Sequence, residues 1–195
     1  MAKYQARKSN FRKTKKLYVI ATEGARTEKI YFDEFKPPKD ASIRIKVLPN
    51  TNHKTRPKEV LNRLTQHAKK TALNKDDELW LVIDRDSWEE AELQEVAKGV
   101  SERGFKLALS NPCFELWLYL HMANNKFFNH RDQVVAAVRK NLGKYEKSEY
   151  DAAELVKNVD KAIERAKGLD SPRQAPWPKT QGTHVYLLVE GLLDM

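Results

Sequence analysis

The chain has 195 residues, 41% hydrophobic and 32% charged, which suits one globular domain and excludes a fibrous or disordered chain. No stretch approaches the roughly 18 apolar residues that a membrane span needs, and no apolar run follows the basic N-terminus, so a cytoplasmic protein without a secretory signal is expected. A single cysteine, Cys113, rules out an internal disulfide and a zinc site built from several cysteines.

The net charge of +9 is unevenly placed. Residues 1–16 carry +7 and residues 36–75 carry +9, whereas residues 76–195 carry −5. Basic blocks of this kind suit a phosphate backbone, because Lys and Arg displace its condensed counterions. They also suit a basic tail and a solvated helix face.

In chain order, a basic flexible tail (1–16) precedes an apolar run, Leu17 to Ala21, with the length of a buried strand. After Thr22-Glu23-Gly24 a helix is predicted, with Ile30, Tyr31 and Phe35 on one face, ending at Pro37-Pro38. Ile43, Ile45 and Val47 alternate with Arg44 and Lys46 as in a half-buried strand. A polar loop reaches Arg56, and Pro57 opens a helix carrying Val60, Leu61 and Leu64. Leu79 to Ile83 is the clearest buried strand, ended by Asp84-Arg85-Asp86. Ser87 with Glu90 predicts a capping box for a helix to about Val100. A fourth strand, Phe105 to Leu109, leads into an apolar helix opened by Ser110-Asn111-Pro112. Helices follow at about 131–142, 151–167 and 184–193, with a proline-rich connector from Ser171 to Pro178.

Four strands, each followed by a helix, predict an α/β fold: a Rossmannoid, four-stranded, mainly parallel sheet between helices. The expected division is an α/β core over 17–125 and a helical extension over 126–195 packed on it. In such open sheets ligands bind outside the carboxyl ends of the strands. That edge is acidic here. Glu23 follows the first strand, Asp84 and Asp86 follow the third, and Glu115 sits near the start of the helix after the fourth. Residues two apart on an extended segment face the same side, so Asp84 and Asp86 can address one ligand. Clustered carboxylates repel unless a cation neutralises them, and oxygen-only ligands favour Mg²⁺ or Mn²⁺ over zinc. Each acid alone also fits a blander role, as a cap, a solvated loop residue or a helix first-turn charge.

At these residues the sequence resembles the RloB-like family, small proteins linked to bacterial phage defence and restriction loci. The resemblance runs from about Tyr18 to Leu193. It is carried by Val19-Ile-Ala-Thr-Glu-Gly-Ala-Arg-Thr-Glu28, Val82-Ile-Asp-Arg-Asp86, Ser110-Asn-Pro-Cys-Phe-Glu-Leu-Trp117 and Thr183-His-Val-Tyr-Leu-Leu-Val189. The family looks like a branch of the Toprim superfamily, in which a Glu-Gly after the first strand and an Asp-x-Asp after the third bind magnesium. By position these are Glu23, Gly24, Asp84 and Asp86. Glu115 matches an extra acid of related overcoming-lysogenization-defect nucleases. Where the family ends on proline–serine–threonine before its last helix, this chain has Gln181-Gly182-Thr183. The resemblance implies a metal-dependent nuclease acting on RNA, tRNA or DNA, with an ATPase partner from the same locus.

Under that reading Glu23, Asp84 and Asp86 hold the metal, and Glu115 either adds a ligand or orients the attacking water. Arg26, His53, Lys54, Arg56, Lys144 and Lys147 are the candidate nucleic-acid contacts, with Tyr145 available to stack. Arg26 equally suits a pair with Glu23 or Glu28, and His53 a plain surface position. Arg85 is expected to be structural, Asn111 to cap its helix, and Trp80, Trp117, Tyr119, His121 and His184 to be core. The competing function is a non-catalytic nucleic-acid-binding accessory subunit. No glycine-rich phosphate loop is present, which argues against intrinsic NTP hydrolysis.

Overall fold

The computed structural model describes residues 15–38, 41–51, 55–124 and 126–194. Most of the basic tail, and the loop residues His53 and Lys54, lie outside the described residues. Four strands run parallel: β1 (Lys16–Thr22), β2 (Ile43–Leu48), β3 (Glu78–Asp84) and β4 (Lys106–Asn111). A two-residue strand, β5 (Gly182–Thr183), joins antiparallel to β4, and the sheet order is β2-β1-β3-β4-β5. The α/β class and the mainly parallel Rossmannoid sheet are as the sequence predicts, with five strands in place of four. Two residues carry no alternation, so β5 could not be read locally. It exists because Ser110 and Thr183 pair across the sheet and share a buried hydroxyl contact of 2.8 Å.

The sheet lies between two helix layers. Its pleat sends Leu17, Val19, Ala21, Leu79, Leu81 and Ile83 to one face, under α2 (Pro57–Lys69) and α3 (Glu90–Glu102). Val60, Leu61 and Leu64 of α2 close that core, on the helix face predicted from their spacing. Tyr18, Ile20, Trp80 and Val82 point to the other face, under α1 (Thr27–Asp33) and α4 (Glu115–Met122). The helices α5 (Arg131–Leu142), α6 (Ala152–Val156), α7 (Val159–Leu169) and α8 (Val185–Leu193) add Val134, Leu155, Ala162 and Leu188 to that same core. Each fully buried aliphatic side chain contributes roughly 1.5–3 kcal/mol. The central strands are covered on both faces, which explains why β1 and β3 read as unbroken apolar runs. Among the described residues no helix is long and apolar enough to cross a membrane.

Several local expectations fail for tertiary reasons. The capping box at Ser87 does not form: α3 begins at Glu90 after an extended Glu89, with no side-chain cap. Residues 86–88 instead turn back, held by the Arg85 guanidinium on the Trp88 carbonyl, which gives Arg85 its expected structural role. Asn111 caps no helix. It ends β4, and its amide donates to the Pro178 carbonyl at 3.2 Å, tying the proline-rich connector to the sheet. In α1 the buried apolar residues are Tyr31 and Phe32, not Ile30, because the helix must cover Phe114 and Trp117. The helix expected over 151–167 is two, α6 and α7, broken at Lys157-Asn158. Trp80, Trp117 and Tyr119 are core as expected, and so is His121, at 2% exposure and pushed down to about 4 by burial.

Candidate metal centre

All four parallel strands deliver their carboxyl ends to one edge, where a cleft of about 800 Å³ opens. Its wall includes Glu23, Glu28, Asp84, Asp86 and Glu115 together with Arg26, Arg131 and Lys147. The first wall is the turn after β1. Glu23 N–H still donates to the Val82 carbonyl (3.1 Å), so Glu23 stands at the end of the sheet with its Oε2 accepting the Asp84 N–H at 3.1 Å. The Thr22 hydroxyl and the Asn50 N–H both donate to the Gly24 carbonyl, and Arg63 donates to the Thr22 carbonyl. Arg63, part of the second basic block, is therefore spent on holding this turn.

The second wall is the exit of β3. Asp84 is 8% exposed, and its Oδ1 accepts the Phe114 N–H at 2.8 Å. Arg85 N–H and Asp86 N–H donate to the Ser110 and Pro112 carbonyls, which zips this exit to that of β4. The expected extended Asp-x-Asp geometry is not found. Asp86 has φ 37°, in the left-handed region that Asp tolerates better than most residues, and it is exposed. That turn, rather than strand alternation, is what brings Asp86 onto the cleft.

The third wall is the start of α4, where Glu115 is 2% exposed. Lys147 Nζ lies 3.2 Å from its Oε1, and the Tyr145 hydroxyl donates to the same oxygen at 3.1 Å. Tyr145 is thus a buried support for Glu115, not a stacking platform. Lys147 lines the cleft, while Lys144 is exposed and stands apart from it. Arg26 precedes α1, is exposed and lines the cleft; Arg56 precedes α2, is exposed and does not. His53 and Lys54 lie outside the described residues. His184 is buried, with Nε2 3.1 Å from Asp170 Oδ2, and does not line the cleft.

Among the cleft residues that the sequence reading did not assign to the site, two bind its walls directly. Glu28 is 5% exposed, and its Oε1 accepts the Gly24 N–H at 2.8 Å. An acid in a helix first turn is ordinary, so only its position directly over Gly24 sets it apart. Arg131 donates to Asp86 Oδ2 at 2.9 Å from the start of α5, 45 residues away along the chain. No local pattern could announce that contact.

The electrostatics follow from burial and crowding. Glu23 is pushed up to about 7 by burial and by the charges of Glu28 and Asp86, against one backbone hydrogen bond. Burial, then Glu23, Glu28 and Glu115, hold Asp84 well above the usual carboxylate range. Burial and Glu115 likewise raise Glu28. Glu115 goes the other way: burial opposes its charge, but Lys147 and hydrogen bonds keep it below its ordinary value. The Cys113 thiol is pushed up by burial and by Asp84 and Glu115, so it stays protonated and is no nucleophile.

Among the described residues no three His, Cys, Asp or Glu side chains are gathered closely enough to form a finished metal-binding group. In kind, the residues fit a hard divalent cation. The donors are all carboxylate oxygens, and two of them, on Glu23 and Asp84, carry a penalty for ionising that an added cation would remove. Of the cations lining the cleft, Arg131 and Lys147 each engage one acid from the rim.

A family model described as RloB-like protein matches residues 18–192, a span holding every acid of the cleft, Arg131, Lys147 and β5. The chain belongs to the RloB-like family. Neither a curated protein nor a solved structure matches it. In this RloB-like protein the Glu-Gly of the first turn has a steric reason. A Cβ on Gly24 would stand 2.3 Å from Glu28 Oε2 and 2.9 Å from its Cδ, so any side chain there displaces the Glu28 carboxyl. Gly24→Ala is expected to cost about 1–3 kcal/mol, the loss of a buried hydrogen bond to a carboxylate. Denaturant unfolding measures this, and in a Glu28→Ala background, where that hydrogen bond is already gone, Gly24→Ala should cost much less. Equal, additive losses in the double variant would show that the two residues do not meet.

Proposed function

We infer that this RloB-like protein is a metal-dependent nuclease of the Toprim type. The observation that carries the reading is the group of acids, Glu23, Asp84, Asp86 and Glu115, brought to one cleft at the carboxyl edge of a parallel sheet with basic residues on its rim. Glu23, Asp84 and Asp86 would hold Mg²⁺ or Mn²⁺, which supplies charge opposite the phosphoryl oxygens and an acidified water when bound. The chain's own residues divide the remaining work. Glu115, with Lys147 beside it, would either add a metal ligand or orient the attacking water. Arg26 and Lys147 lie on the cleft wall where a backbone phosphate would pass. The basic block around α2, with exposed Arg44, Lys46 and Lys58, offers a longer electrostatic surface for RNA, tRNA or DNA. Family membership suggests an effector of anti-phage defence working beside an ATPase from the same locus.

The test is cleavage of labelled tRNA, total RNA, single-stranded DNA and plasmid in Mg²⁺ or Mn²⁺, comparing the wild type with Asp84→Asn. Metal-dependent cutting by the wild type alone supports the nuclease and names its substrate class. No cutting, with metal binding also absent by calorimetry, would leave a non-catalytic nucleic-acid-binding subunit as the better reading.

A further inference from the structure

The cleft holds more than acids. Arg131 donates to Asp86 Oδ2 at 2.9 Å, and Lys147 Nζ stands 3.2 Å from Glu115 Oε1. Both cations come from the helical extension, one from the first residue of α5 and one from the connector after it, while their acids belong to the α/β core. Arg131 touches Asp86 and Lys147 touches Glu115, one acid each. Both side chains are also partly exposed, Arg131 by 33% and Lys147 by 53%, whereas Glu115 is almost sealed at 3%. They therefore cap the acids from the solvent side, and each can leave its partner without crossing the core. No other described cation is recorded within ion-pair distance of Asp86 or Glu115.

We propose that Arg131 and Lys147 act as internal counter-ions that compete with the divalent metal for the carboxylates and, once displaced, hold the substrate's phosphate. The inference rests on the nuclease reading and deepens it by assigning two positioning residues. A metal and these side chains cannot all neutralise the same few carboxylates at full strength, because each added positive charge weakens the attraction for the next. A polyanion entering the cleft offers the released guanidinium and ammonium groups new partners, and an Arg in particular fits a phosphate with two parallel hydrogen bonds. Metal and nucleic acid thus favour each other's binding through the same two side chains, and the coupling is reciprocal.

The experiment measures Mn²⁺ binding by calorimetry or electron paramagnetic resonance on the full chain, without nucleic acid, for the wild type, Arg131→Gln and Lys147→Gln. Removing one adjacent unit charge is expected to tighten Mn²⁺ about tenfold in Arg131→Gln and less in the more exposed Lys147→Gln. In Ca²⁺, with a labelled single-stranded oligonucleotide, each variant should bind more weakly, and its salt slope should fall by about 1 for the lost phosphate contact. Gaining metal affinity while losing nucleic-acid affinity is a signature that a merely structural role would not produce, since loosened packing lowers both. Wild-type Mn²⁺ binding with no gain in either variant overturns this inference and leaves the metal site standing. Mn²⁺ binding in none of the three proteins overturns the metal reading itself. If Arg131→Gln does not fold, Lys147→Gln decides alone, because its side chain is the more exposed of the two.

Discussion

Asp84→Asn is expected to melt at a higher temperature than the wild type in EDTA and to lose metal-dependent cleavage by on the order of a hundredfold to a thousandfold or more. Asp84 lies at 8% exposure among Glu23, Glu28 and Glu115, so ionising it is opposed first by burial and then by like charge. The amide removes that charge and keeps a carbonyl oxygen to accept the Phe114 N–H now bonded at 2.8 Å. For a chain of this size each kcal/mol of relief corresponds to a rise of about 2–4 °C. The opposite signs matter more than either value. A structural carboxylate would lose stability when neutralised, and a drop in melting temperature of several degrees, with cleavage retained, would remove Asp84 from the chemistry.

The second large effect couples metal, proton and fold. Glu23 in the folded chain is pushed up to about 7, above the ordinary value of about 4.3 expected when unfolded. Folding therefore favours its protonated form. The stability this supplies is complete below about pH 4 and is lost as pH rises through 7, leaving the metal-free fold roughly 3 kcal/mol weaker at pH 8. Asp84 and Glu28 act in the same direction. The lowered acids Glu115, Glu78 and Asp33 give up stability only under more acidic conditions, but buried His121, pushed down to about 4, and lowered His184 oppose the trend once pH falls below about 6.5. In EDTA the melting temperature should rise on going from pH 8 to about pH 6.5, above the range in which His121 opposes the trend. Millimolar Mg²⁺ should raise it by about 5–10 °C at pH 8 and scarcely at pH 5, where protons hold the acids. A Mg²⁺ effect equal at both pH values, or none at either, would show that these carboxylates do not hold the ion.

Much of the molecule was legible because its signals are local. The apolar runs of β1 and β3 could be read since strands buried on both faces admit no polar alternation. Pro57 and the spacing of Val60, Leu61 and Leu64 marked α2 and its buried face. The acids were found by a topological rule, that parallel strands present their carboxyl ends to one edge, and the cleft lies there. Asp86 arrived for a reason other than the one foreseen: its carboxylate reaches the cleft through a left-handed turn at φ 37°.

What was not legible depended on partners distant in sequence. Tyr145 and Lys147 look like a basic–aromatic group for nucleotides, yet Tyr145 is buried against Glu115, 30 residues earlier. Arg63 reads as one more charge of a basic block, while it fastens the end of β1. By itself the sequence determined the α/β class, the order of strands and helices and the edge that carries the acids, since periodicity, prolines and strand ends are properties of neighbours along the chain. Only the tertiary structure decided β5, the burial of Glu28 over Gly24 and the capping of the acids by Arg131 and Lys147. Those contacts join segments tens of residues apart, and their energy comes from desolvation and charge pairing that exist only once the segments meet.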